Sequence, residues 1–89
     1  MRDIYGVAAF RSRQQVLRFE AALNRQGIPV KVVTTPRDIS MGCGLSARFP
    51  LDRAAEVRQA AKLANASNLI GLYRAEYDGA RLRVSPLRG

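Results

Sequence analysis

Two helical stripes set among short β-prone runs predict an α+β fold. Three observations carry that reading. The runs alternate strand, helix, strand, strand, helix, strand; each helical stretch opens on a recognisable start signal; and an Asp-Gly pair late in the chain adds a hairpin. With 89 residues the chain has enough material for one small domain. Its 47% apolar content belongs to a folded chain rather than a disordered one.

The elements follow in order. Ile4 to Phe10 (IYGVAAF) is short and apolar and reads as a central strand. Ser12 opens a helix near 12–26: Gln15 lies three residues on, the spacing of a capping box. Val16, Phe19 and Leu23 make one apolar stripe, widened by Ala22. Gly27 supplies the left-handed stop, with Ile28 placed for the contact that accompanies it. Pro29 to Thr35 is β-branched, and Pro36 ends it for want of an N–H. Leu45 to Phe49 alternates with period two. A second helix is expected near 52–66 with Asp52 as N-cap, presenting Ala54, Val57, Ala61 and Ala64 on one face and Ala60 beside them. Leu69 to Tyr77 is the fourth strand. Asp78-Gly79 turns the chain, and Ala80 to Val84 returns as a short fifth.

This order is the ferredoxin-like βαββαβ pattern with a C-terminal hairpin. Right-handed crossovers place strands one and three at the centre of an antiparallel sheet, with both helices on one face. Residues 1–84 are read as the domain and 85–89 as a flexible tail.

Composition narrows the chemistry. The chain has no histidine and one cysteine, Cys43. That excludes Ser-His-Asp and Cys-His nucleophilic machinery, a one-chain structural zinc site and an intramolecular dithiol. No cofactor or metal is expected. No apolar run reaches membrane-spanning length, and the first ten residues lack the apolar core of a secretory signal. With one unpaired cysteine, the expectation is a cytoplasmic protein. Fifteen Lys+Arg against seven Asp+Glu give a net charge of +8. The cations are scattered singly, which argues against specific nucleic-acid binding and leaves weak, phosphate-directed affinity as the third-ranked function.

Cys43 sits between Gly42 and Gly44 in the loop after the second strand. Two readings stand. Cysteine often serves as a small buried hydrophobe, and glycines before a strand are ordinary turn residues. The topology supports the other. Strands one and two are parallel, so the second ends at the sheet edge where the first helix begins. Cys43 is thereby expected beside Arg11, Ser12 and Arg13, with Arg37 in its own loop. A helix N-terminus and nearby guanidinium groups favour the thiolate, the reactive form. Gly42 and Gly44 remove bulk on either side, opening an approach for another protein's sulfur.

The stretches FRS, GIPVKVVTTPRDIS, CGLSARF and GLY resemble a bacterial family described as selenium/sulfur carrier protein-like. The most specific part is the core Pro-Arg-x-Ile-Ser-x-x-Cys-Gly, matched by Pro36, Arg37, Ile39, Ser40, Cys43 and Gly44. Gly42 departs from it, standing where many members carry a small polar residue, so no hydroxyl donor flanks the thiol. The resemblance implies a thiol carrier rather than a turnover enzyme. Cys43 would hold sulfur or selenium as a persulfide or selenopersulfide, Arg37 would stabilise the thiolate, Ser40 would bond backbone within the loop and Ile39 would anchor it. The implied partners are donor and acceptor proteins, for example a cysteine desulfurase. The alternative from another class is a non-catalytic assembly module, a homodimer through the helix-free sheet face, with Val7, Ala9, Ser46 and Arg48 as candidates to line it.

Overall fold

In a computed structural model, residues 3–35, 44–63 and 69–87 are described. The chain runs β1 (Asp3–Phe10), α1 (Arg13–Arg25), β2 (Lys31–Thr34), β3 (Leu45–Phe49), a 3-10 turn (Leu51–Arg53), α2 (Ala54–Leu63), β4 (Leu69–Tyr77) and β5 (Leu82–Pro86). The five strands form one sheet in the order β2-β3-β1-β4-β5, with every neighbouring pair antiparallel. The fold is therefore α+β, with β1 and β3 inside the sheet. Val7 pairs with Arg48 and Ala8 with Ala47.

One core joins both helices to the sheet. Val16, Phe19 and Leu23 of α1 and Val57, Ala60 and Ala61 of α2 cluster with Ala8 and Phe10 of β1 and Ala47 and Phe49 of β3. These strand residues are two apart along their strands, so they share a face. The Phe10 and Phe19 rings meet tilted at 55°, centroids 5.1 Å apart. Gly6 pairs directly with Phe49, and the Phe49 ring occupies the space that a Cβ on Gly6 would take.

Local signals govern α1. Ser12 is its N-cap, extended at φ −110° and ψ 128°, and its hydroxyl accepts the Gln15 N–H at 3.4 Å. At the other end Gly27 adopts φ +81°. Its N–H donates to the Asn24 carbonyl at 3.1 Å, and that of Ile28 to the Leu23 carbonyl at 3.0 Å, the double bond of a Schellman stop. Ile28 and Leu23 are both fully buried in the core.

Three expectations are corrected. Asp52 does not cap α2: it lies within the 3-10 turn, whose N-cap is Pro50 and which has no side-chain cap bond. Proline at that point fixes an extended entry without a side-chain acceptor. The tail expected from Ser85 is strand through Pro86, and the Leu87 N–H donates to the Leu72 carbonyl at 2.9 Å. Pro86 is tolerated because β5 is an edge strand that needs no further donor on its outer side. Finally, Val7, Ala9 and Ser46 do lie on the helix-free face, but they are fully buried there and cannot themselves line an interface. Val7 lies between Arg48 and Tyr73, and Ala9 between Ser46 and Gly71. Arg48 stacks 3.9 Å from the Tyr5 ring centroid, and the Tyr73 ring lies against Gly71. Arg48 itself is half-buried.

Among the described residues, no helix is long and apolar enough to cross a membrane.

Candidate functional site

The sheet has two ends. At one, β1 and β2 finish and β3 and β4 begin, so Phe10, Thr34, Leu45 and Leu69 converge. At this end β2 and β3 close like a zip: Thr34 pairs with Leu45, and the Thr35 N–H donates to the Gly44 carbonyl at 2.9 Å. Thr35 and Gly44 are the described residues on either side of the loop. Arg37, Ser40, Gly42 and Cys43 lie outside the described residues.

Gly44, bonded covalently to Cys43, is closely surrounded. A Cβ there would come within 3.1 Å of Thr35 Oγ1 and 3.7 Å of the Phe10 carbonyl. The threonine cannot readily give way, because its hydroxyl is 2.7 Å from Ser46 Oγ and both residues are buried. The two hydroxyls satisfy each other inside the sheet, where either alone would be costly. A side chain on the residue after the cysteine would therefore crowd the Thr35–Ser46 pair.

The other expected neighbours do arrive. Arg11 and Arg13 are exposed, and with Thr34, Gly44 and Leu45 they line a cleft of about 410 Å³. Ser12, between them, is committed to capping α1. The first turn of α1 has no acidic residue, so nothing within that turn offsets the positive end of its dipole. Arg11, Ser12, Arg13 and Gly44 are therefore brought together. Thr34, Thr35, Leu45 and Ser46 complete the surroundings without having been singled out from the sequence. The Thr-Thr before Pro36 was the available signal, but its pairing with Ser46 depends on the β2–β3 register.

Among the described residues, the ion pairs and titration shifts fall toward the far end. Arg48 reaches Asp3 at 3.4 Å, and Arg53 grips Glu56 through two bonds of 2.6 and 2.8 Å. The hydrogen bond to Arg53 holds the Glu56 carboxyl below its ordinary range and raises Arg53. Asp78, in the β4–β5 loop, accepts the N–H groups of Ala80 at 3.0 Å and Arg81 at 2.9 Å, which lowers its carboxyl too. Among the described residues, no group of histidine, cysteine and acidic side chains is suited to hold a metal ion.

A family model described as "Putative Se/S carrier protein-like" matches residues 5–69. That span takes in most of β1, all of α1, the cleft, both sides of the cysteine loop and α2. No curated protein and no solved structure matches the chain.

Proposed function

Because the chain belongs to the "Putative Se/S carrier protein-like" family, we propose that it carries sulfur or selenium on the thiol of Cys43. The supporting observation is the surroundings of Gly44. The residue next to Cys43 lies in a cleft with Arg11 and Arg13 at the N-terminal end of α1. Positive charge there lowers the cost of a thiolate.

The transfer step balances without an outside oxidant. The Cys43 thiolate attacks the outer sulfur of a donor persulfide, such as that of a cysteine desulfurase. A new S–S bond forms on Cys43, the donor's own S–S bond breaks, and the donor leaves as a thiolate. The sequence contains no second cysteine to resolve the product. In this proposal Arg37 adds charge to the thiolate, Ser40 ties the loop to its own backbone, and Gly42 keeps the approach open. The reading includes a cytoplasmic setting. It also includes a ferredoxin-like descent for the fold, supported by the order β2-β3-β1-β4 with β5 as an added edge.

The test compares the reduced protein with Cys43→Ser after incubation with a cysteine desulfurase and cysteine. Intact mass should rise by about 32 Da in the first only, the mass of one persulfide sulfur, with the two melting alike. Failure of both to load, together with a marked stability loss in the variant, would return Cys43 to the role of a packed side chain.

A second reading, an assembly module or homodimer, has one observation in its favour. Tyr5, Val33, Tyr73 and Val84 are half-buried on the sheet face opposite the helices, and no described element lies over them. Sedimentation of the protein with and without Tyr73→Lys separates the two readings: a dimer lost on substitution supports assembly, a monomer throughout removes it.

A further inference from the structure

A second cleft lies at the same end of the sheet as the Gly44 cleft. Ala61 of α2, Leu69 and Leu72 of β4 and Leu87 form its apolar floor, and Arg58 and Lys62 stand at its margin; its volume is about 390 Å³. Leu87 is held there by the bond from its N–H to the Leu72 carbonyl. The two clefts are close. Leu69 pairs with Phe10, and β1 lies between β4 and β3, so about two strand spacings, roughly 10 Å, separate Leu69 from the start of β3.

Among the described residues, the charge lining this end is one-sided. Among the described residues, Arg11, Arg13, Arg58 and Lys62 line the two clefts, no acidic residue does, and none of these four makes an ion pair. Of the acids, Asp3, Asp52, Glu56, Glu76 and Asp78 lie toward the far end and Glu20 lies within α1, while Asp38 is outside the described residues. We infer that this end is a docking surface for an acidic segment of a partner protein. An apolar side chain of that segment enters the cleft over Leu69, Leu72 and Leu87, and carboxylates meet Arg58 and Lys62. Charge complementarity of this kind speeds encounter and sets orientation, while the apolar floor supplies affinity. A purely phosphate-seeking surface has no use for four apolar floor residues. Because the site neighbours the cysteine loop, the segment belongs to a donor or acceptor protein. The inference rests on the carrier reading for that identity, but not for the binding itself.

The test uses the full chain, isotope-labelled, titrated with a short synthetic peptide in which glutamate pairs alternate with leucine. Amide shifts should centre on Ala61, Lys62, Leu69, Leu72 and Leu87. Arg58→Glu with Lys62→Glu should weaken binding tenfold or more, and Arg81→Glu with Arg83→Glu at the far end should not weaken it comparably. The helix positions are exposed or half-buried, so folding is retained, and the unchanged amide spectrum of β1–β3 checks it. The inference is overturned by absence of shifts at these residues, by equal binding of a peptide with glycine in place of leucine, or by indifference to the charge reversal. Tighter binding of a mixed-sequence DNA strand or of phosphatidylglycerol vesicles would overturn it in favour of nucleic acid or membrane. The two proposals fail separately. If Cys43→Ser binds the peptide but wild type never loads sulfur, the carrier reading falls alone. If loading proceeds and the cleft binds nothing, the docking surface falls alone.

Discussion

The two ends of the sheet differ in what their side chains are committed to. At the end away from the cysteine loop, charges are spent on one another: Arg48 with Asp3, Arg53 with Glu56, Arg74 with Glu76 at 3.0 Å. Asp78 is spent on the backbone of its own turn. At the loop end, Arg11, Arg13, Arg58 and Lys62 have no such described partner, and the polar groups that are satisfied, Thr35 and Ser46, are buried out of reach. One end is closed on itself and the other is left chemically available. Substitutions at the far end should therefore cost stability and spare loading, while those in the loop-end clefts should do the reverse.

The largest effect should come from Phe49→Ala. Phe49 is 1% exposed, belongs to the main core and fills the space over Gly6. Its truncation should cost about 3–5 kcal/mol, a large part of the stability of a domain this size. Urea unfolding measures the loss, and sulfur uptake per folded molecule should be unchanged. A specific loss of uptake at full stability would break the division between the ends.

Next comes Ser46→Ala, which leaves the Thr35 hydroxyl buried beside Gly44 without its partner. The expected cost is about 1–3 kcal/mol. Thr35→Val with Ser46→Ala should recover most of it, because neither polar group is then left unpaired. This pair lies at the loop end but inside the sheet, so it sharpens the rule: burial, not position alone, decides whether a group is structural.

Much of the far end and of α1 was legible because the signals are local. Ser12 with Gln15, Gly27 with Ile28, and Asp78 with Gly79 each act within six residues, and each appears as a cap, a stop and a turn. What could not be read depends on register. That Gly6 faces Phe49, that Thr35 meets Ser46, and that Arg48 and Tyr73 flank Val7 all follow from which residues pair across strands. Period-two patterning puts Val7 and Ala9 on the helix-free face, but it cannot say that they are fully buried there. The Asp52 cap failed for a related reason: Pro50 had already set the entry to the 3-10 turn. For the candidate site, the topology argument brought Arg11, Ser12, Arg13 and Gly44 together from separate stretches of sequence, whereas Thr35 and Ser46 needed the pairing.

A smaller effect is expected from Arg11→Ala and Arg13→Ala. Both side chains are exposed, so stability should stay within about 0.5 kcal/mol. The rate of sulfur uptake should fall by about threefold at low ionic strength, and the difference should shrink toward none near 1 M salt as the charges are screened. Stopped-flow or quenched mass measurements across salt would show it. A salt-independent loss would mean the arginines act by contact rather than by field.

The smallest effect concerns Asp78. Its carboxyl is held below the ordinary range by the Ala80 and Arg81 N–H groups. A depressed folded value means the stabilisation is fully present above the unfolded value of about 3.9 and is lost as pH falls through the lower, folded one. Acid titration of the β4–β5 hairpin amides should show this loss, and Asp78→Ala should remove that part of the pH dependence while leaving the loop end untouched.

The central claim, that the available end exists to present a carrier thiol, is tested most directly by the mass of the protein taken from its native cells without reductant. The account predicts an adduct of about 32 Da for sulfur or about 80 Da for selenium, located on Cys43, released by a thiol reductant and absent from Cys43→Ser. A bare mass under those conditions, with Cys43 open to alkylation only after unfolding, would contradict it.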